Sequence, residues 1–433
     1  MHDVRRGSSQ LRLVLLTVAL TVAATLLGSL LVMNLWSEGN PVSHKIRTDY
    51  GVRDSQFWRT AGGLYGFPMI GGNRIEPLVN GESLTAMLEA VRGARKSVTF
   101  ETYIFWSGEV GDRFVDAFVE RARAGVPTHL LLDWVGSADL SEEAIDEMLA
   151  AGVVVHRYHA PAWYVLDKLN NRTHRKILVV DGRIGFIGGV GIADHWQGDA
   201  RSPEEWRDLH FRVEGPVVAG LQGTFMENWL AVGASVLHGE RYFPELEPLG
   251  ETRAQVIESS ADEGSESVRL VYLLAIAAAR ERILIGNAYF VPDGLTIESL
   301  IEAKQRGVDV QIIVPGRITD VEIVRKASRA SWGPLLEAGI AIYEYQPTMY
   351  HCKIMIVDDV LVLVGSANFD NRSFSLNDEA NLTVWDPELA RGQAALFEED
   401  ISRSKRVSLA EWNQRPLREK ISDAIAGWLG PQL

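Results

Sequence analysis

The feature that most constrains the fold is a polar pattern that occurs twice in the chain. HRKILVVD covers residues 174–181 and HCKIMIVD covers residues 351–358, and both read His-x-Lys-x4-Asp. Seven residues after each Asp, a glycine is followed by a small residue, at 188–189 and 365–366. A chance match has a probability of about 1 in 10,000 per position at average composition. Two copies with the same downstream spacing therefore indicate a duplicated functional unit.

The segments around the two motifs show the same order of helical and strand patterns. RARAGVPTHLLL in the first half parallels AKQRGVDVQIIV in the second, and LAAGVVVHRY parallels LEAGIAIYEY. A repeat of this length indicates duplication of a whole domain, because solenoid units are much shorter. Amphipathic helices alternate with buried apolar strands in both halves. The sequence therefore predicts an α/β fold of two tandem domains whose sheets are covered by helices on both faces.

Six segments are predicted along the chain. They are a basic flank (1–12), a transmembrane anchor (13–37), a linker (38–74), the first domain (75–245), the second domain (246–410) and an amphipathic tail (411–433). The anchor is predicted because residues 13–37 carry no charge and are long enough to cross a bilayer as a helix. A cleaved signal peptide is the alternative, but no Ala-x-Ala-like site follows the apolar run. Arg5, Arg6 and Arg12 favour an N-in orientation, whereas basic residues beyond the anchor oppose it, so the side of the membrane stays open.

Two apolar segments have two open interpretations each. An insertion before the first motif, PAWYVLDKLNN (161–171), is either a surface loop or an amphipathic lip that meets lipid at the entrance of the site. Its apolar and basic members are Trp163, Tyr164, Val165, Leu166 and Lys168. The tail is either an interfacial helix or a helix packed on the domain. Its apolar face comprises Leu417, Ile421, Ile425, Trp428 and Leu429.

Charge and cysteine content narrow the functional classes. The net charge of -14 argues against a general nucleic-acid-binding protein, and no basic stretch with interleaved aromatic residues is present. The single cysteine, Cys352, excludes an internal disulfide. Because Cys352 separates His351 from Lys353 on a predicted strand, it faces away from both, as expected of a small buried residue.

The residue types of the motif point to phosphate chemistry. In each copy the His and the Lys lie two residues apart, so both side chains leave the same face of a strand. A lone histidine would most often be a core or edge residue, but an imidazole beside an ammonium on an apolar strand costs desolvation energy that a bound anion offsets. Two such histidines facing each other across a pseudo-twofold interface can serve as nucleophile and as general acid/base, while the lysines bind phosphate oxygens. No metal or cofactor is expected, because the ammonium groups supply positive charge and neither motif has the spacing of a zinc site.

Longer strings around the motifs resemble a known family. The second motif continues into GSANFDNRSF and NDEANL, and the first is followed by WRDLHFRVEGP. These strings resemble the phospholipase D superfamily, most closely bacterial cardiolipin synthases, over residues 75–410. The resemblance implies two phospholipase D-like domains, each a mixed β-sheet flanked by helices, related by pseudo-twofold symmetry. The first copy departs from the family pattern at Gly191, where the second copy has Asn368.

Carried over position by position, the resemblance implies a role for each residue of the site. The implied roles are nucleophile for His174; general acid/base for His351; phosphate binding for Lys176, Lys353 and Asn368, with close backbone approach at Gly189 and Ser366; orientation of the histidines for Asp208 and Glu379; and support of the catalytic motifs for Asp181 and Asp358.

The reaction implied by the resemblance is phosphatidyl transfer. His174 would attack phosphatidylglycerol and expel glycerol, and a second phosphatidylglycerol or another alcohol would take the phosphatidyl group, giving cardiolipin. Hydrolysis of phospholipid by water is the alternative, and a membrane-anchored nuclease or a non-catalytic lipid-binding protein is a more distant one. The expected partners are membrane phospholipids and the bilayer, without nucleic acid; the second substrate and the oligomeric state stay open. Glycosylation sequons at Asn171 and Asn371 would place glycans against the motifs, which favours a bacterial inner membrane.

Overall fold

A computed structural model describes residues 2–35, 44–64, 68–160, 170–260, 266–428 and 430, with side chains described from residue 13 to 29 in the first of these ranges. The helices are α1 (His2–Leu35), α2 (Ser55–Leu64), α3 (Glu82–Gly93), α4 (Glu109–Arg123), α5 (Glu142–Ala150), α6 (Val218–Ala231), α7 (Ser267–Ala278), α8 (Gly294–Gln305), α9 (Glu322–Glu337), α10 (Asn371–Ser375), α11 (Pro387–Ser402), α12 (Leu409–Asn413) and α13 (Leu417–Trp428).

The strands follow the repeated order that the sequence predicts. They are β1 (Ile70–Val79), β2 (Val98–Thr102), β3 (Thr128–Asp133), β4 (Val154–Tyr158), β5 (Arg172–Thr173), β6 (Ile177–Val180), β7 (Ile184–Gly188), β8 (Leu209–Glu214), β9 (Thr252–Ser259), β10 (Arg282–Asn287), β11 (Asp309–Pro315), β12 (Ala341–Tyr345), β13 (Lys353–Val357), β14 (Leu361–Gly365), β15 (Asn377–Trp385) and β16 (Ser404–Val407).

The strands form one continuous mixed sheet with an internal symmetry. Its order is β16-β12-β11-β10-β13-β14-β15-β9-β1-β8-β7-β6-β2-β3-β4, and the short β5 pairs with β15. Reading outward from the β9–β1 junction, the two halves share the same order of seven strands, with antiparallel inner pairs and two parallel pairs at the outside. The second half adds the edge strand β16, which is antiparallel to β12. The predicted α/β fold in two matching halves is therefore confirmed. The sheets of the two halves are joined directly, because β1 pairs with β9.

Buried apolar residues hold the two halves as one body. One core cluster packs the second half against α7, α8 and α9, and another packs the first half against α3, α4 and α5. A third cluster contains strands of both halves together with α6 and α11, on the other face of the sheet. Helices thus cover both faces, as expected for strands that are buried on both sides.

The Asp that ends each motif binds the backbone N–H groups at the start of the adjacent strand. Asp181 and Asp358 have φ angles of 55° and 51°, a left-handed conformation that Asp tolerates better than most residues. Oδ1 of Asp181 accepts backbone N–H bonds from Lys96 and Ser97 at 2.7 and 3.0 Å, where the chain enters β2. Asp358 accepts the equivalent bonds from residues 280–282, where the chain enters β10. Both carboxylates therefore fix the hairpin of the motif to the start of the adjacent antiparallel strand, β2 in the first half and β10 in the second.

The structure bears differently on the predicted anchor, the first domain boundary and the lip. Within the described ranges, no helix is both long and apolar enough to cross a membrane, so the predicted anchor over 13–37 has no support from the structure. Residues 36 and 37 of that segment lie outside the described residues. The predicted domain boundary at residue 75 falls inside β1, which begins at Ile70. The lip residues Trp163, Tyr164, Val165, Leu166 and Lys168 lie outside the described residues.

Candidate active site

Each motif histidine is positioned by backbone from the other half of the chain. The N–H of His174 donates to the carbonyl oxygen of Asp378 at 2.9 Å, next to the pairing of β5 with β15. The N–H of His351 donates to the carbonyl oxygen of Arg207 at 2.8 Å in the same way. Both histidines are buried and line one cavity. The duplication therefore builds a single site at the junction rather than one site in each half.

A carboxylate from the opposite half binds each imidazole. Nδ1 of His174 lies 3.0 Å from both carboxylate oxygens of Glu379. Nδ1 of His351 lies 2.7 Å from Oδ2 of Asp208. A carboxylate at Nδ1 selects the tautomer that carries its proton there, which leaves Nε2 as the nitrogen available for chemistry. The two residues predicted to orient the histidines are therefore placed to do so.

The orienting carboxylates are themselves held, by different residues in the two halves. Oγ of Ser366 donates to Glu379. At the equivalent place in the first half, a Cβ on Gly189 would lie 2.3 Å from Oδ1 of Asp208, so no side chain fits. There the indole Nε1–H of Trp196 donates to Oδ2 of Asp208 at 2.9 Å instead. Hydrogen bonds of this kind fix the orientation of the carboxylates that accept them.

The two lysines lie beside the histidines and are nearly inaccessible to solvent. Nζ of Lys176 donates to the carbonyl oxygen of His174 at 2.7 Å, and Nζ of Lys353 donates to that of His351 at the same distance. Burial lowers the pKa of Lys176 to about 7, and burial also lowers the pKa of Lys353. An anion bound between these ammonium groups would raise the pKa of both lysines again, because opposite charge favours the charged form of a lysine.

The charge states of the histidine–carboxylate pairs suit proton transfer. Burial lowers the pKa of His174 to about 4, and burial together with the nearby Lys353 lowers the pKa of His351. Burial opposes ionisation of Asp208 and Glu379, but their histidine and lysine neighbours outweigh it and hold both carboxyl pKa values below the usual range. At neutral pH the site therefore contains neutral imidazoles hydrogen-bonded to ionised carboxylates.

The cavity around the histidines has a volume of about 830 Å³. Its polar lining includes both histidines, Lys176 and Asn368, and its apolar lining includes Ile104, Trp106, Trp206, Met349 and Val324. A volume in the range of small-molecule sites, with a few convergent polar groups on an apolar wall, is typical of a binding pocket. The arrangement suits a charged headgroup joined to an apolar body.

The remaining predicted site residues fall into two groups. Asn368 lines the cavity, and its buried Oδ1 has no hydrogen-bond partner among the described residues. Gly189 and Ser366 lie behind the histidines, where they contact the orienting carboxylates and do not line the cavity. A Cβ on Gly191 would lie 3.0 to 3.1 Å from Ile104 and the ring of Trp196. The departure from Asn at position 191 therefore has a steric reason.

Several cavity residues were not predicted from the sequence. The ring of Tyr103 contacts the ring of His174 with centroids 5.4 Å apart, and Nζ of Lys176 lies 5.5 Å from the centre of the Tyr103 ring. Tyr289, at the matching place in the second half, donates to Asp320 at the cavity rim. The repeat itself contained the signal, because both tyrosines follow matching strands. Arg172 and Arg372 also line the cavity.

The duplicated mixed sheet, the two buried His/Lys pairs and the carboxylates exchanged between halves define a phospholipase D-like protein. The family model described as "Cardiolipin synthase, PLD-like domain" matches residues 87–196 and 272–401. These ranges contain both motifs and cover more than half of the chain. The chain belongs to this family.

Relatives with similar sequences are bacterial. Cardiolipin synthase A of Pseudomonas fluorescens is 33% identical over 368 residues, which cover 84% of this chain and 76% of the relative. Cardiolipin synthase of Geobacillus sp. is 36% identical over 360 residues, which cover 82% of this chain and 72% of the relative. The similarity thus extends over more than four fifths of the chain.

Solved structures share the fold at low sequence identity. The phosphatidylserine synthase of Haemophilus influenzae matches with a TM-score of 0.67 and 14% identity, covering 88% of this chain and 100% of that one. The polyphosphate kinase of Porphyromonas gingivalis matches with a TM-score of 0.50 and 14% identity, covering 90% of this chain and 57% of that one. At such identity these matches describe the fold alone.

Proposed function

We propose that the chain is a cardiolipin synthase-type phosphatidyltransferase that acts on phosphatidylglycerol. The observation that carries the proposal is the pair of histidines in one cavity, each with a carboxylate of the other half at Nδ1. The names of the bacterial relatives support the choice of lipid chemistry. A phosphodiester placed between the histidines would have a nucleophile on one side and a proton donor on the other.

In the first step, Nε2 of His174 attacks phosphorus and the bond from phosphorus to the glycerol oxygen breaks. The negative charge of a bound phosphodiester favours the protonated form of His351. This protonated His351 then gives a proton to the departing glycerol oxygen. Asp208 stabilises the imidazolium form of His351 through Nδ1. Lys176, Lys353 and the amide of Asn368 bind the non-bridging oxygens, where negative charge increases in the transition state. The product of this step is a phosphatidyl-histidine.

In the second step, the neutral His351 takes a proton from the hydroxyl group of the acceptor. The hydroxyl oxygen attacks phosphorus on the side that glycerol left, and the bond from phosphorus to His174 breaks. A second phosphatidylglycerol as acceptor gives cardiolipin, and water gives phosphatidic acid. The apolar residues of the cavity wall favour a lipid alcohol over bulk water as the acceptor.

Both substrates of this reaction reside in a bilayer, so we place the reaction at a bacterial inner membrane. The N-terminal anchor over 13–37 and its orientation remain predictions from the sequence. Trp428 and Ile425 of α13 are strongly exposed, which is compatible with a membrane surface close to the domain.

The test is incubation of the purified chain with radiolabelled phosphatidylglycerol in mixed micelles, followed by separation of the lipid products. Cardiolipin and free glycerol in equal amounts support the transferase. Phosphatidic acid as the sole lipid product would assign the chain to the hydrolases instead. The variant His174→Ala, which lacks the proposed nucleophile, serves as the background control.

A further inference from the structure

Helix α13 presents an apolar stripe that no residue of the described ranges covers. Leu417, Ile421, Ile425 and Trp428 of α13 have exposed fractions of 72%, 52%, 61% and 81%. These residues recur at intervals of three and four along the helix, so they form one continuous stripe. A contiguous patch of large apolar side chains marks an interaction surface more often than isolated exposed residues do.

The opposite face of α13 is fixed to the domain. Arg329 of α9 forms ion pairs with Asp423 at 3.3 Å and with Glu419 at 3.1 Å. Arg415 adds a contact to the buried Asp423 at 2.8 Å. A Cβ on Gly427 would lie 2.8 Å from Cβ of Ala330, which shows how closely the two helices approach. The stripe therefore has a fixed orientation on the outside of the protein.

The C-terminal end of α13 lies close to residues that line the cavity. Beyond this end, Gly430 packs against Val291, two residues after the cavity residue Tyr289. The helix on which α13 packs, α9, starts at the cavity, because Val321 and Val324 belong to its lining. The stripe and the cavity therefore share α9 as their support.

Exposed apolar residues also occur at the cavity in both halves. Val135 follows β3, Val321 lies in the loop between β11 and α9, and both line the cavity. Trp134 and Ile323 are close to them in the chain, and the exposed fractions of all four residues lie between 36% and 45%. Each half therefore places exposed apolar side chains at or beside the cavity.

The charges around the stripe favour an anionic partner. At 100° per residue, Arg418 lies on one flank of the stripe and Lys420 on the other. Nζ of Lys420 also donates to the carbonyl oxygen of Asn413 at 2.5 Å. The acidic residues of the helix, Glu419 and Asp423, point to the opposite side and pair with Arg329. This basic border stands out in a chain whose net charge is -14. Lysine and arginine beside an apolar helical face are typical of helices that lie in the interface of anionic membranes.

We propose that these residues form one membrane-docking surface that seats the cavity mouth on an anionic lipid bilayer. The docking surface comprises Leu417, Ile421, Ile425, Trp428, Trp134, Val135, Val321 and Ile323. Its apolar side chains enter the interfacial region, and Arg418 and Lys420 contact lipid phosphates. The inference rests on the proposed function only for the identity of the substrate, since docking itself requires no turnover.

The first test measures docking without catalysis. The full chain carrying Ile425→Cys is labelled with an environment-sensitive fluorophore; the native Cys352 is fully buried and escapes labelling. Gln305→Cys, exposed at the end of α8 before the start of β11, is the matched control. Vesicles containing phosphatidylglycerol should shift the emission of the label at 425 to the blue, and brominated lipids should quench it, while the label at 305 does not change. A label at 425 that remains in water with these vesicles contradicts the proposal. A blue shift that depends on protein concentration without lipid would assign the stripe to a second copy of the chain instead.

The second test separates docking from chemistry. The double variant Ile421→Glu/Ile425→Glu should lose about tenfold or more in kcat/KM on phosphatidylglycerol vesicles. Two apolar side chains that would enter the bilayer are replaced by carboxylates that anionic lipid repels. On monomeric short-chain phosphatidylglycerol its kcat/KM should equal that of the wild type. Gln305→Glu adds one negative charge away from the stripe and should leave both activities unchanged. Equal losses on both substrates would overturn the proposal. A wild type without turnover on either substrate would reject the proposed function but leave the fluorescence result valid.

Discussion

Oδ2 of Asp208 lies 2.7 Å from Nδ1 of His351, although the two residues belong to opposite halves of the chain. Glu379 contacts His174 in the reverse direction, so each half supplies the carboxylate that the other half needs. Each histidine therefore depends on the opposite half for the carboxylate that keeps its proton on Nδ1. Duplication has therefore produced one interdependent site, and the first prediction follows from this exchange.

Replacing an orienting carboxylate by its amide should reduce the chemical step without unfolding the protein. In Asp208→Asn, the charge that stabilises the imidazolium of His351 is lost, and kcat should fall about 10² to 10⁴-fold. Glu379→Gln should have an effect of the same order through His174. Turnover assays and thermal melts of both variants provide the measurement. Activities within about twofold of the wild type would show that the histidines do not depend on the carboxylates.

The Asp that ends each motif should matter for stability instead. Asp181 accepts three backbone N–H groups from residues 95–97, and Asp358 does the same for residues 280–282. Asp181→Asn and Asp358→Asn keep a residue that tolerates positive φ but weaken these charge-assisted bonds. We expect each to lower the free energy of unfolding by about 1–3 kcal/mol. Denaturant titration checks this, and kcat of the folded variants should match the wild type; a loss of kcat at unchanged stability would place these residues in the chemistry.

Placing at position 191 the asparagine that the second copy has at 368 should harm the protein. The space that an asparagine would need is occupied by Trp196 and Ile104, with contacts of 3.0 to 3.1 Å already at Cβ. Gly191→Asn should destabilise the fold by about 1–3 kcal/mol and disturb the bond from Trp196 to Asp208. Gly191→Ala separates the steric effect of Cβ from that of the amide. An Asn variant with wild-type stability and higher activity would contradict this account.

Burial of His174 should shift the acid limb of the pH profile of kcat/KM to low pH. His174 must be neutral to attack, and burial lowers its pKa from 6.5 to about 4. The acid limb of kcat/KM, which reports the free enzyme, should therefore lie near pH 4, with activity falling as the pH falls through that value. In Glu379→Gln the limb should move to still lower pH, because the carboxylate that raises the pKa of His174 is gone. Circular dichroism over the same range confirms that the protein stays folded. An acid limb at or above 6.5 would mean that the nucleophile is solvated.

The repeated pattern allowed much of the fold to be predicted from the sequence. Periodicity identified most helices and strands of both halves, because each element buries its own apolar face. The pairing of β1 with β9, which joins the halves into one sheet, left no local signal. It depends on contacts between segments far apart in the chain. The same reason explains why the predicted boundary at residue 75 falls within β1.

In the site, the motif residues were predictable but their supporting contacts were not. Spacing placed each His and Lys on one face of a strand, and the resemblance indicated Asp208 and Glu379. Trp196 could not be assigned, since its indole reaches Asp208 from a short 3-10 helix whose position depends on the whole first half. Ser366 was predicted to approach substrate, yet its hydroxyl bonds Glu379 behind the histidine. Sequence spacing identifies which residues are near a site, but the direction of a side chain after a strand end depends on tertiary packing.

The central claim is that His174 is the nucleophile and His351 the acid/base of one shared site. The most direct measurement uses a phosphatidyl ester of 4-nitrophenol, whose leaving group needs no general acid. His351→Ala should release one equivalent of nitrophenol per protein and then stall, with the phosphatidyl group mapped to His174 by mass spectrometry. His174→Ala should show no burst. A stable adduct on His351, or a full burst from His174→Ala, would contradict the account.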